Sequence, residues 1–588
     1  MTNLMINKTK FQHIIIILFF WVLSPSIVCA ASIGDKKIFS VDPVYQKGAV
    51  SQINATLNRI SNYTYVYVED GWYYSLSEGS QISINNSIDQ LAQEFDINIR
   101  PKMIGAYGSE WSPGIDNDVR LTILVTQIVN NAGGYFNSGD EYFKQQNTLS
   151  NEREIIYLNS SYIQTANAKS YLAHEFQHMI TFYQKKIVRG YDEDIWLNES
   201  RSEYAPTLLG YDAEYSGSDL ERRISNFMLD PSDSLTEWKN ATIDYSSINL
   251  FMQYLVEHFG IKILRAMISE NSTGIASINK ALKSLGSVEK FSDIFVNWSV
   301  ANYINNCTIN SSRYCYTAGP LKTQGVIAKP SISYEITAGT NISVSGQNSL
   351  KDWSSKALML FSRLTTVGVA PNILKVEITL PSDGQFSVPY ILEESKGSVV
   401  VKNLEINNGK GIIYITKWGS KNLKINILPI AINKQSDFGN NELSYKFSYS
   451  ATLVNELTQD YEPSPTVVFP NYPDGSVLRA KGDIKVYIIK NGKYKRWIQN
   501  PEIFNLYGHL TWSSIIDVEP AELGFYQEAS LIRAGGDKKV YEINGDGTKH
   551  WVDMTSVDFI SSGRAWDMVY IVNQSEINLY KTGGNVRK

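Results

Sequence analysis

The chain has 588 residues, 54 Lys and Arg against 59 Asp and Glu, and a formal net charge of −5. That balance leaves no basic footprint for nucleic acid, and the length exceeds what one hydrophobic core organises, so several domains are expected. Histidine (6) and cysteine (3) are scarce, so a cluster of either carries weight.

At the start, Lys8 and Lys10 precede an apolar run from Ile14 to Leu23, Ser24-Pro25 breaks it, and Val28-Cys29-Ala30 offers small residues for cleavage. This predicts a secretory signal over 1–30, cut near Ala30, and a product that is secreted, extracellular or held at the cell surface. The bulky Val28 argues against lipid attachment at Cys29. No other stretch reaches about 18 uninterrupted apolar residues, so no transmembrane segment is expected. Leu121–Thr126 and Glu154–Leu158 read as strands from their β-branched content. Between them lie Asn130-Asn131-Ala132-Gly133-Gly134-Tyr135-Phe136 and Ser138-Gly139-Asp140-Glu141-Tyr142. The glycines suit either a sheet edge approached by an extended substrate or a plain turn. Asp140 and Glu141 can bind calcium, a substrate amino terminus or solvent. Solvent is the expectation, which leaves Ca2+ without support.

The segment Leu172-Ala173-His174-Glu175-Phe176-Gln177-His178-Met179 follows. Residues four apart share a helix face, so both imidazoles can reach one metal ion. Glu175 stands beside the first histidine, where a base is needed to take a proton from the attacking water. Leu172, Phe176, Met179 and Tyr183 recur at three- and four-residue spacing and give the same helix an apolar face on a different stripe. The alternative is a pair of polar residues on a solvated face. A catalytic zinc site usually needs a third protein ligand, and Trp196-Leu197-Asn198-Glu199-Ser200-Arg201-Ser202-Glu203 supplies candidates. Glu199 lies far enough on for one helix to end and a second to begin. Glu203, one turn further, can accept a hydrogen bond from the far nitrogen of a ligand histidine. The alternative for both is an exposed acidic helix face.

Together "AHEFQHMITF" and "WLNESRSEYA" resemble the gluzincin class of zinc metallopeptidases, most nearly the neutral hyicolysin type. The likeness is specific over 172–205 and more diffuse from about Tyr63 to Gly260. It implies a zincin-like catalytic domain, one catalytic Zn2+ held by His174, His178 and Glu199, Glu175 as general base, and protein or peptide substrates. Ser200 stands where that family usually has glycine, which bears on how closely the second helix approaches the metal. Gluzincins generally stabilise the oxyanion with a tyrosine or histidine. Tyr245, opening a helix-like run at Ile243–Leu255, is the candidate. Its alternative is packing at a helix start. His258, before Gly260, is the rival and is expected to serve the negative end of a helix dipole instead.

Cys307 and Cys315 remain after cleavage, and their short spacing in an exported chain suggests one disulfide. Asn297 to Asn306 reads as the last helix of a first domain over 31–330. Over 331–455 the hydrophobic period changes to two, as in Phe386-Ser387-Val388, Gly411–Ile415 and Tyr445–Tyr449, which predicts a β-sandwich-like domain. Residues 456–474 carry prolines from Pro463 to Pro473 and read as a linker. A repeat follows: Leu478-Arg479-Ala480 returns as Ile532-Arg533-Ala534, Val486-Tyr487 as Val540-Tyr541, Trp497 as Trp551 and Trp512 as Trp566. Every pair is 54 residues apart, so two small β-rich modules are expected at 475–526 and 527–588. Each has a hairpin turn, Asn-Gly at 491–492 and Asn-Gly-Asp-Gly at 544–547. The tryptophans either form the small cores, which is preferred, or bind a cell-surface or carbohydrate ligand.

The chain therefore reads as multidomain α+β and as a secreted zinc endopeptidase. The rivals are an aminopeptidase, for which no Gly-x-Met-Glu-Asn motif precedes His174, and a surface adhesin with a relict metal site. A relict site is expected to lose Glu175 early, because that residue serves chemistry more than metal binding.

Overall fold

The computed structural model describes residues 31–588 apart from 130–131, 310–311, 318, 325, 457–471, 492, 525, 563 and 588. The signal segment 1–30 with Cys29, the Asn130-Asn131 pair, most of the 456–474 linker and Gly492 of the first hairpin turn lie outside the described residues. The chain divides into two compact units near residue 457. Each has helices and β-sheet, as the α+β composition predicts.

The first unit is built on a six-stranded sheet of β1 (Lys36–Ser40), β2 (Gln52–Ile60), β3 (Thr64–Glu69), β4 (Leu121–Thr126), β5 (Gly134–Phe136) and β6 (Ile155–Asn159), ordered β1-β2-β3-β4-β6-β5. β3, β4 and β6 run parallel, and the edge strand β5 is antiparallel to β6. The two-residue period of a strand divides its side chains between faces. Ile123, Val125, Ile156 and Leu158 join a large helical core, whereas Leu124, Ile155 and Tyr157 pack on the other side with Phe39, Leu57 and Tyr67. A near-continuous apolar sequence such as Leu121–Thr126 thus marks a strand buried on both faces.

The helical side holds α1 (Glu78–Glu94), α2 (Arg100–Tyr107), α3 (Asn167–Thr181), α4 (Ile195–Leu209), α5 (Asp219–Phe227), α6 (Thr242–Phe259) and α7 (Phe291–Ile304). A π-helical turn over Phe182–Ile187 follows α3, and Gly190 at φ +77° lets the chain reverse into α4. A disulfide joins Cys307 and Cys315. Among the described residues, no helix is long and apolar enough to cross a membrane.

The two-residue period beyond 331 becomes sheets ordered Lys410–Ile415, Ile373–Thr379, Ser444–Val454, Ser343–Lys351 and Val399–Asn403, Pro389–Glu394, Asn422–Ile427, Leu358–Phe361, Ile332–Glu335. These sheets enclose a core around Leu360, Val376, Trp418 and Phe447. They form one compact unit with the helices. Trp353, fully buried, stacks edge-on against Phe291 and Phe295 of α7, and Lys351 pairs with Glu237.

The second unit shows the 54-residue repeat in its hydrogen bonding. Leu478 opposes Tyr487 and Tyr487 opposes Trp497; Ile532 opposes Tyr541 and Tyr541 opposes Trp551. The first sheet is closed by Gln527–Glu528 pairing with Tyr494–Lys495, and the second by Lys581–Thr582 pairing with Thr548–Lys549. The first module therefore takes in Glu528. One core, including Val477, Ile498, Ile532 and Tyr570, spans both modules. Trp497 packs against a neighbouring apolar cluster with Leu478 and Tyr487, but the other three tryptophans belong to neither. Trp512 and Trp566 are 53% and 51% exposed, each stacked on one face against Phe504 or Phe559. Trp497 and Trp551 are half-buried beneath Lys485 and Lys539. The small modules fill their interiors with the strand aliphatics and tyrosines instead.

Candidate metal centre

His174 and His178 project from α3 on one stripe, while Leu172, Phe176 and Met179 are wholly buried in the helical core. The imidazole Nε2 atoms stand 3.2 Å apart. Glu199, in the second turn of α4, brings Oε2 to 3.3 Å from His174 Nε2 and Oε1 to 3.6 Å from His178 Nε2. Among the described residues this is the one set of three such groups with ligand atoms all within 4.8 Å of one another. Four donors at zinc–nitrogen and zinc–oxygen distances in a tetrahedron lie about 3.3 Å from each other. The observed separations match that figure. Glu199 Oε2 is also buried without a hydrogen-bond partner, as expected of an oxygen reserved for a cation. The residues present therefore fit a zinc ion.

The charges agree. Burial works against the Glu199 carboxylate, yet the charge of His178 and the close approach of His174 hold it well below the usual carboxylate range. Burial likewise opposes a charge on His174, but the Glu199 carboxylate at 3.3 Å and the charges of Glu175 and Glu203 lift it to about 9. The pocket is thus prepared for positive charge at the two Nε2 atoms.

The supporting partners differ from the expectation in detail. Glu203 Oε1 lies 3.6 Å from His174 Nδ1, beyond hydrogen-bond length. Both of its oxygens are taken by Arg223 of α5, at 2.6 Å each. Glu203 therefore orients His174 by charge rather than by a hydrogen bond. Behind His178 stands Ser202, whose Oγ is 3.2 Å from Nδ1 and donates to Gln177 Oε1 at 2.6 Å. A proton on Nδ1 directed at Ser202 leaves Nε2 bare for a metal. Ser200 faces away from the metal ligands: its Oγ donates to the Ile248 carbonyl at 3.0 Å and ties α4 to α6.

Glu175 is buried between α3 and the edge strand. Burial raises its pKa against the pull of both histidines and, more weakly, of the Phe136 backbone amide. Gly134 allows this approach. A Cβ there would meet the Tyr157 carbonyl at 2.6 Å and Glu175 Cγ at 3.2 Å. Close packing within the protein, not a plain turn, accounts for this glycine.

Tyr245 lies in the first turn of α6. Burial and the charges of Glu199, Glu203 and Glu175 raise its pKa far above the ordinary value, so the hydroxyl stays protonated. It donates to Asn240 Oδ1 at 2.7 Å, and the Arg223 guanidinium lies 4.8 Å from its ring centre. Arg223 thus links the acid behind His174 to Tyr245. No spacing in the sequence singles it out. His258 is placed elsewhere. It stacks on Tyr254, its Nε2 is 2.9 Å from the Cys315 carbonyl, and burial pushes it down to about 4. It is neutral near pH 7, so it serves as a hydrogen-bond donor rather than as a charge on the helix dipole.

Asp140 and Glu141, expected at the surface, are each 1% exposed. Asp140 accepts from Asn151 and Tyr157, and burial lifts it to about 6. The chain packs them under the Ser138–Glu141 turn, which no local pattern announces.

No family model matches the chain, and no curated protein matches it. Solved structures similar to parts of it include the pre-peptidase C-terminal domain of a Bacillus anthracis collagenase (11% identity, 21% of this chain and 97% of that one, TM-score 0.13). An Aeromonas hydrophila periplasmic inhibitor of g-type lysozyme, PliG, is 8% identical over 21% of this chain and 96% of its own (TM-score 0.14). A family GH115 4-O-methyl-α-glucuronidase is 8% identical over 59% and 53% (TM-score 0.12). Likeness at these scores carries no argument about fold or function.

Proposed function

We propose that this chain is an exported zinc-dependent endopeptidase of gluzincin type. The carrying observation is the convergence of His174, His178 and Glu199 at tetrahedral spacing beside a buried glutamate. A zinc ion held there supplies Lewis acidity, polarising a peptide carbonyl and making water acidic enough to react near neutral pH. Glu175, with its raised pKa, takes the proton of the attacking water and passes it to the departing amine. Tyr245 keeps its proton and donates it as a hydrogen bond to the developing oxyanion once it turns from Asn240. The free side of β5 offers backbone groups to an extended peptide beside Glu175. Glu203 and Ser202 hold the two imidazoles in orientation, and Arg223 holds Glu203.

The disulfide supports export. Trp512 and Trp566, half-exposed at equivalent positions, support a cell-surface carbohydrate ligand for the modules.

The test is casein hydrolysis by residues 31–588 beside Glu175→Gln, with zinc measured in both. Activity in the parent alone, at equal zinc content, is expected. Full zinc with no hydrolysis by the parent across protein and aminoacyl substrates would favour a binding protein. Release of single amino-terminal residues alone would favour an aminopeptidase.

A further inference from the structure

A second group of buried acids, outside the histidine site, carries more carboxylate than the one arginine paired with it can answer. Glu141 ends the Ser138–Glu141 turn, and neither of its carboxylate oxygens has a hydrogen-bond partner although the residue is 1% exposed. Glu110 follows α2 and is also buried. Its Oε1 accepts from Arg100 Nε at 2.7 Å, while its Oε2 is buried and unpartnered. Glu154 stands one residue before β6, on the helix-facing side by alternation with Ile156 and Leu158. One of its oxygens accepts from the Ile115 N–H at 2.9 Å. The other occupies space that only glycine leaves free, since a Cβ on Gly114 would sit 1.9 Å from Oε2.

The Arg153 backbone N–H donates to the Asp140 carbonyl at 2.9 Å, which lays the end of the Ser138–Glu141 turn beside Glu154. Burial first, then the charges of Glu154, Asp140 and Glu110, push the Glu141 carboxyl well above its ordinary range; burial likewise lifts Glu154 to about 7. Among the described residues no ion pair reaches Glu141 or Glu154; Arg100 answers Glu110 alone, and Arg153 acts on Glu154 without pairing. Asp140 is not free to help, since its carboxylate is taken by Asn151 and Tyr157. Buried carboxylates are ordinarily paired or bound to metal, and an orphaned one calls for an explanation.

We propose that Glu110, Glu141 and Glu154 form a buried site for a hard divalent cation of the calcium class, clamping the 108–118 loop and the Ser138–Glu141 turn onto the start of β6. An all-oxygen set excludes the softer metals that histidine attracts. Calcium accepts six to eight oxygens in flexible geometry, including backbone carbonyls, whereas magnesium retains several waters that a buried site does not admit. The three carboxylates stand further apart than the histidine set, which alone falls within 4.8 Å. Coordination at about 2.3–2.6 Å must draw them inward, so binding tightens the loop. The inference stands independently of the peptidase reading.

The experiment uses the full mature chain, stripped with chelator and reloaded with zinc alone. Calcium chloride is titrated by calorimetry and by melting temperature. One calcium per chain and a rise in Tm of about 3–5 °C at saturation are expected. Terbium, a calcium surrogate, should emit by transfer from Trp111, which adjoins Glu110 and stacks on Tyr183. Glu141→Gln and Glu154→Gln should each abolish the calcium response at unchanged zinc content. Trp111→Phe, which leaves all three carboxylates, should keep the Tm rise and weaken the terbium emission. If Glu141→Gln fails to fold, Glu154→Gln and Trp111→Phe carry the test. No heat and no Tm change in the parent would overturn the proposal, leaving Glu141 a neutral buried acid. So would a calcium response that survives both glutamine variants.

Discussion

The histidine set and the carboxylate set are both metal candidates in one helical layer, yet the chain writes them differently. Two of the three proposed zinc ligands share one helix face, and the third sits on the next helix, joined by a short reversal at Gly190. Local helical geometry alone nearly builds that site. The carboxylates come from a loop after α2, a turn after β5 and the residue before β6, brought together only by sheet order and by burial. The first site is a pattern in sequence. The second is a property of the fold.

The comparison can be broken at several strengths. Glu199→Ala removes the third ligand and leaves two histidines, and zinc affinity should fall at least 100-fold by competition with a chromophoric chelator. Arg223→Gln leaves Glu203 buried without its cation and should cost about 3–5 kcal/mol of stability in urea unfolding, with zinc still bound. Tyr245→Phe should lower kcat about 10²- to 10³-fold with little change in KM, if the hydroxyl meets only the oxyanion.

The pH dependence should also separate the sites. Zinc requires a neutral His174, whose pKa is lifted to about 9 in the metal-free protein. Apparent zinc affinity should therefore rise about tenfold per pH unit from 7 towards 9 and then level. In metal-free protein the same shift contributes stability that is complete below the ordinary value of 6.5 and lost as pH rises through about 9. His258 acts in the opposite sense, with a pKa lowered to about 4. Its contribution is present above 6.5 and lost as pH falls through about 4, a loss of similar size that His258→Gln should blunt in acid unfolding.

The helical pattern at Leu172–Tyr183, the strands at Leu121–Thr126 and Ile155–Asn159, and the 54-residue repeat were legible because each rests on a short period or on self-similarity. Arg223 was not, because an arginine two helices from His174 carries no spacing signal. Nor was Trp353, which joins the sheets beyond 331 to the helical core by a contact only folding creates. The exposure of Trp512 and Trp566 departs from the core reading because an aromatic in a small module suits a core and a stacking platform equally until its exposure is known. Glu141 was read as solvated because its neighbours in sequence are polar, whereas its neighbours in space are other acids.

The most direct test of the central claim is X-ray absorption at the zinc edge on the full mature chain loaded with one equivalent of zinc. The account predicts four nitrogen or oxygen ligands at about 2.0–2.1 Å with outer-shell scattering from two imidazoles. The imidazole signal should be lost in the His174→Ala, His178→Ala double variant. Failure to retain zinc through dialysis, sulfur scattering, or an unchanged spectrum in the double variant would contradict it.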